Sequence, residues 1–154
     1  MVSYPDSQSW IAGSSGIHHY HGRLEEWISL MRDWSQGLNL PKGRVRVIQW
    51  LALNEQGKII GMINLRPQLN DYLRHSGGHI GYVVHPEFRR QGLATWMLRQ
   101  ACQEAKKQGL DKVLLTCAED NEASARTIEG AGGCYQDQVL EKGVWVKRYW
   151  LDLT

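Results

Sequence analysis

Cysteine is scarce. Cys102, Cys117 and Cys134 are the three in 154 residues. They are odd in number and lack the paired spacing of a metal site or a disulfide framework, so they read as reduced, packed thiols of a cytoplasmic protein. None is flanked by the glycine turn or histidine expected of a nucleophile. Long apolar runs are absent: nothing approaches the roughly 18 residues needed to span a bilayer. The N-terminus has no charged stretch followed by an apolar one, so no secretory signal is expected. Charge of one sign is lacking too, since 18 basic and 16 acidic residues leave a net +2. That excess is too small to draw in nucleic acid by itself. Seven tryptophans are present, but most fall at periodic, core-like positions. No repeat, low-complexity tract or second domain is seen. His18, His19 and His21 cluster without a Cys or carboxylate to complete a ligand set, so no metal is expected.

What is present is the patterning of one globular domain: 42% hydrophobic and 22% charged residues, with enough chain to bury its own core. Residues 1–16 are Ser- and Gly-rich without periodicity, which predicts a loose arm ahead of a domain over 17–154. Leu24, Trp27, Ile28, Met31 and Trp34 carry helical spacing, ended by Gly37. Residues 44–53 and 58–65 read as a hairpin around Asn54-Glu55-Gln56-Gly57. Residues 67–74 form a link, broken at His75-Ser76-Gly77-Gly78. A strand over 79–84, a helix over 93–108 closed by Gly109, a buried strand over 112–117, a short helix over 124–131, and strands over 134–140 and 144–153 complete the pattern.

The run His85-Pro86-Glu87-Phe88-Arg89-Arg90-Gln91-Gly92-Leu93-Ala94-Thr95 carries the chemistry. It joins a strand to a helix through a basic, glycine-containing loop. The first N–H groups of a helix have no partner within it, and they sit at the positive end of its dipole. A glycine there lets backbone approach an anion closely, and Arg89 and Arg90 add charge. These features describe a polyphosphate cradle.

Read as Arg89-x-x-Gly92-x-Ala94, this loop resembles the acyl-CoA pyrophosphate loop of the GNAT superfamily of N-acetyltransferases. The buried strand Lys112-Val113-Leu114-Leu115-Thr116-Cys117, then Asn121-Glu122-Ala123-Ser124 and Gly132-Gly133, resembles the superfamily's second block. Gly61-Met62-Ile63-Asn64-Leu65-Arg66, Gly77-Gly78-His79-Ile80-Gly81-Tyr82 and Arg148-Tyr149-Trp150 are similar to a subgroup of acetyltransferases. The resemblance implies an α/β fold: a mixed, mostly antiparallel twisted sheet of six to seven strands with helices on both faces.

It also implies a site. Two strands, here 79–84 and 112–117, splay apart, and the pantetheine arm of acetyl-CoA enters the gap. Tyr82, Val83 and Val84 would pair with that arm, the Tyr82 backbone N–H serving as oxyanion donor. Arg89, Arg90, Gln91, Gly92, Leu93, Ala94 and Thr95 would surround the pyrophosphate. Asn121 and Ser124 would contact the arm, or else cap the short helix. The pattern fails at one position: many superfamily members place a tyrosine, the acid for the leaving thiolate, seven residues after this asparagine, and here that residue is Ile128. Tyr135 and Tyr149 are conceivable substitutes.

His79 is a candidate base for the incoming amine. It is one residue out of register with the carboxylate of some relatives, which turns it to the other face unless a bulge intervenes. A strand-edge histidine held by a local bond is the alternative. Asn64 and Arg66 are candidates to orient the acceptor, and Arg66 would favour an acidic one. The implied activity is transfer of an acetyl group from acetyl-CoA to the primary amine of a small molecule or peptide in a ternary complex. No metal, nucleic acid or membrane partner is expected, and a homodimer is open because dimers are common in the superfamily. The rival is an acyl-CoA-binding sensor that has lost the chemistry.

Overall fold

The computed structural model describes residues 12–154. Helix α1 spans Leu24–Ser35, with Glu25 and Glu26 in its first turn, where negative charge opposes the helix dipole. Trp27 and Met31 on its inner face are buried. Strands β1 (Ile48–Leu53) and β2 (Ile59–Leu65) form the expected hairpin. Its turn is held by Asn54, whose Oδ1 accepts the N–H groups of Gln56 and Lys58 at 3.0 and 2.9 Å. β1 begins at Ile48 rather than residue 44 because Arg44–Val47 have no strand partner.

The link after β2 ends in a π-helical turn, Leu73–Gly77, before strand β3 (Ile80–Val84). Helix α2 (Leu93–Lys107) then crosses to strand β4 (Lys112–Ala118). The short helix α3 (Glu122–Gly130) leads into strands β5 (Cys134–Glu141) and β6 (Val144–Asp152).

The expected architecture is observed, with antiparallel pairings and helices on both faces. The six strands divide into two three-stranded sheets, ordered β1-β2-β3 and β4-β6-β5. The side-chain period of two along β2 sorts its residues between two cores. Ile63 and Leu65 join Ile80, Val84, Met97, Leu98, Leu115 and Ile128 beneath α2 and α3. Met62 joins Ile17, Trp27, Met31 and Val47 beneath α1. Two of the seven tryptophans depart from the core-like placement expected of most: Trp96 on α2 is 55% exposed, and Trp145 on β6 is 44% exposed.

Of the loose arm expected over 1–16, residues 1–11 lie outside the described residues. The remainder is packed. Ser14 is buried, and a Cβ on Gly13 would lie 2.5 Å from the carbonyl oxygen of Gly81. Only glycine lets this segment lie so close against β3.

Candidate active site in the split between the sheets

β3 and β4 meet at one end and part at the other. They touch at His79 and Leu114: the His79 N–H donates to the Leu114 carbonyl at 2.8 Å, and the Leu114 N–H donates to His79 Nδ1 at 2.7 Å. Beyond this joint no ladder joins the two strands. In an antiparallel ladder, neighbouring residues turn their backbone groups to opposite sides. The His85 N–H donates to Ile60 of β2 at 2.8 Å, so Gly81 and Val83 also face β2. Tyr82 and Val84 therefore face the split. Val83, expected among the groups open to an arm, has its N–H and C=O committed to β2. The Val84 carbonyl is occupied as well, accepting Arg89 Nε at 3.1 Å.

The loop after β3 turns through Pro86–Phe88, where His85 Nδ1 accepts the Glu87 N–H at 3.1 Å. Arg90 and Gly92 follow with φ of 62° and 79°, the left-handed region that favours glycine. Gly92 is the N-cap of α2, and no side chain caps that end. A Cβ built on Gly92 would meet nothing within 4 Å. The N–H groups opening α2 are thus left to an outside acceptor.

A cavity of about 1020 Å³ runs from the split to the face covered by α1. Tyr82, Thr116, Cys117, Asn121 and Ser124 line its split end, and Asn64, Arg66, Ser15, Leu30 and Trp34 line the other. The far wall is a polar network. Asn64 Nδ2 donates to Ser15 Oγ at 3.1 Å and to Gln49 Oε1 at 3.3 Å, while its Oδ1 accepts Arg66 Nη1. Arg66 Nη2 donates to the Gly77 and Gly78 carbonyls at 2.6 and 2.9 Å. Burial brings the Arg66 pKa down to about 10, far above neutrality, so it remains a cation.

His79 does not line this cavity and is buried, at 5% exposure. Burial, with the Arg66 charge adding to it, lowers its pKa to about 4. Its Nδ1 is occupied by the Leu114 amide. The geometry is neither that of a base open to the cavity nor that of a strand-edge histidine held locally: it is a buried, neutral imidazole joining two strands distant in sequence.

The Acetyltransferase (GNAT) family model matches residues 13–132. The chain belongs to the GNAT family of acetyltransferases. It is 29% identical over 103 residues to acetyltransferase plu1384 of Photorhabdus laumondii, a match covering 67% of each chain. Spermidine N-acetyltransferase from Vibrio cholerae, solved with CoA and spermine, has a TM-score of 0.62 at 18% identity, covering 86% of this chain and 75% of that one. The yncA structure from Salmonella typhimurium, solved with its cofactor acetyl-CoA, has a TM-score of 0.60 at 19% identity, covering 87% and 73%.

Within this GNAT chain, Asn121 caps α3: its Oδ1 accepts the Ser124 N–H at 3.1 Å, and its side chain also lines the cavity. Ile128, at the usual tyrosine position, is fully buried in the core. Neither conceivable substitute lines the cavity. Tyr149 Oη donates to Glu129 at 3.0 Å, and burial lifts its pKa to about 12. Tyr135 lies against the Tyr149 ring. The phenol that does reach the split was missed in the sequence, where Tyr82 counted only for its backbone. Tyr82 Oη lies 2.8 Å from Ser124 Oγ, and burial raises its pKa above the ordinary tyrosine value. Ser15, Gln49 and Ser76 gave no local signal either, because their roles depend on contacts across the chain. Among the described residues, no three His, Cys, Asp or Glu side chains converge as a metal site, and no helix is long and apolar enough to cross a membrane.

Proposed function

We propose that this chain is an acetyl-CoA-dependent N-acetyltransferase acting on a primary amine by direct attack in a ternary complex. The observation that carries the reading is the presence of two open backbone sites, one on either side of the loop that follows β3. One is the uncapped, sterically open α2 N-terminus at Gly92. The other is the Tyr82 backbone facing the split, at the end of a cavity large enough for an extended arm and an acceptor.

Acetyl-CoA, when bound, supplies an activated acyl group on a thiol leaving group. The chain supplies the rest. The Leu93, Ala94 and Thr95 amides, with Gly92, Arg90 and Gln91, would hold the diphosphate. Arg89 acts indirectly in this reading, fixing the end of β3 through the Val84 carbonyl. The Tyr82 backbone and the Val84 N–H are offered to the amides of the arm, and Asn121 and Ser124 line its path. The Tyr82 N–H is the donor available where negative charge builds on the acyl oxygen. Its phenol, protonated at neutral pH, holds the proton that Ile128 cannot give. His79 is a structural residue, and the proton of the acceptor amine leaves through water in the cavity.

The test is release of free thiol from acetyl-CoA over a panel of primary amines. Amine-dependent release, with acetylated amine identified by mass spectrometry, is expected. Tight acetyl-CoA binding with no turnover on any amine would favour the sensor instead.

A further inference from the structure

The acceptor end of the cavity has a distinctive charge. Among its described lining residues there is no aspartate or glutamate, while Arg66, Arg44 and Lys42 all contribute. Arg44 and Lys42 are exposed, and among the described residues neither forms an ion pair. Two carboxylates adjoin lining residues of this end in sequence: Asp71, between Asn70 and Tyr72, points into solvent and pairs with Arg74 at 3.5 Å, and Asp33, beside Trp34, accepts Asn39 Nδ2 at 3.0 Å.

The wall around Arg66 also has more donors than acceptors. Arg66 Nε and Ser76 Oγ are both shielded from solvent, and neither has a hydrogen-bond partner. Both residues line the cavity. A buried polar atom without a partner costs about 1–3 kcal/mol, and a hydrogen bond to a charged group recovers more than a neutral one does. Shielded in this way, these two atoms do not themselves face the cavity, but the Arg66 cation beside it bonds only to the neutral acceptors Asn64, Gly77 and Gly78 and forms no ion pair among the described residues, so an anionic group in the cavity supplies its missing counter-charge. Leu30 and Trp34 add an apolar wall.

We propose that the acceptor is an α-amino acid-like molecule: a primary amine beside a carboxylate, carrying an apolar side chain. The carboxylate balances the Arg66 charge and is drawn in by Arg44 and Lys42. A polyamine, as found with the Vibrio relative, would bring several positive charges to a wall that already carries them. The inference rests on the transferase reading and names the substrate class of that same site.

The experiment compares kcat/KM for L-phenylalanine, L-phenylalaninamide, phenethylamine and spermidine. Loss of the carboxylate is expected to cost about tenfold or more, with spermidine poorest. The amide is an informative control: its amine is less basic and more often neutral at pH 7, so it would outrun the acid if the carboxylate played no part. Equal or better turnover of the amide, of phenethylamine or of spermidine would overturn the proposal. Replacing both rim cations (Lys42→Gln with Arg44→Gln) leaves the interior untouched. It is expected to narrow the preference and make it less sensitive to salt; an unchanged preference in both respects would count against the rim's role. A separate arm removes dependence on catalysis: calorimetry of N-acetyl-L-phenylalanine against N-acetylphenethylamine. Tighter binding of the acid supports the proposal even if no amine is turned over, a result that would sink the transferase reading alone. Equal binding, or binding of neither, overturns it.

Discussion

His79 and Leu114 exchange two hydrogen bonds, one from each backbone N–H, at 2.8 and 2.7 Å. This reciprocal pair is where the two sheets are pinned, and everything C-terminal to it on β3 is free to part from β4. The split proposed to hold the pantetheine arm thus opens beyond a buried imidazole. His79→Ala is expected to destabilise the fold by about 1–3 kcal/mol, since it leaves the Leu114 amide buried without an acceptor. Urea denaturation would measure this, and a variant as stable as the parent would remove His79 from the joint.

The same residue sets a pH dependence. The folded-state pKa of His79 is about 4, below its ordinary value of 6.5. Between those values the unfolded chain takes up a proton that the folded chain refuses. Stability is therefore fully present above about pH 6.5 and declines as pH falls toward 4, by up to about 3 kcal/mol from this group. His79→Gln should flatten that part of the profile relative to the parent. Parallel profiles for the two proteins between pH 7 and about pH 4.5 would contradict the assignment.

Tyr82→Phe removes the phenol and leaves the backbone donor. It is expected to lower kcat by about tenfold or more, with a small change in KM for acetyl-CoA, because general acid help is withdrawn from the leaving thiolate. A thiolate is a tolerable leaving group near neutral pH, which keeps the loss at the low end. Steady-state kinetics decide it: unchanged kcat would mean the thiolate departs without Tyr82.

Ile128→Tyr, the substitution that would restore the usual superfamily residue, is expected to destabilise rather than activate. Ile128 is fully buried, and even a Cβ on Gly133 would lie 2.5 Å from its side chain. Overpacking of this kind costs about 1–3 kcal/mol. A variant with the parent's melting temperature and a higher rate would show room that the packing denies.

What the sequence revealed follows the range of the interactions. The strand, loop and helix around Gly92 were legible because a strand, a basic glycine-containing loop and an amphipathic helix are local signals, each set within a few residues. The hairpin at Asn54–Gly57 was legible for the same reason. His79 was not, because its partner Leu114 is 35 residues away and strand periodicity gives a face, not a neighbour. Arg66 was marked as an acceptor residue, but its ties to Asn64, Gly77 and Gly78 needed the fold. The packed residues 12–16 were missed because glycine and serine read as loose chain, whereas here the missing Cβ allows contact with Gly81. Tyr82 was half legible: its place on β3 marked the backbone, but only α3 folding back brings Ser124 to its phenol.

The central claim is that a diphosphate sits on the amides opening α2 while its arm lies in the split beside Tyr82. Titrating ¹⁵N-labelled protein with acetyl-CoA and following each amide by NMR tests it most directly. The account predicts the largest shifts at Gly92, Leu93, Ala94 and Thr95, with a second group at Tyr82 and Asn121, and loss of both sets in Gly92→Glu, which meets no neighbour but strains a left-handed backbone position, so its fold is checked by the dispersion of the remaining amide signals. Saturable binding that leaves those amides unmoved, or a Gly92→Glu protein that binds as tightly as the parent, would contradict it.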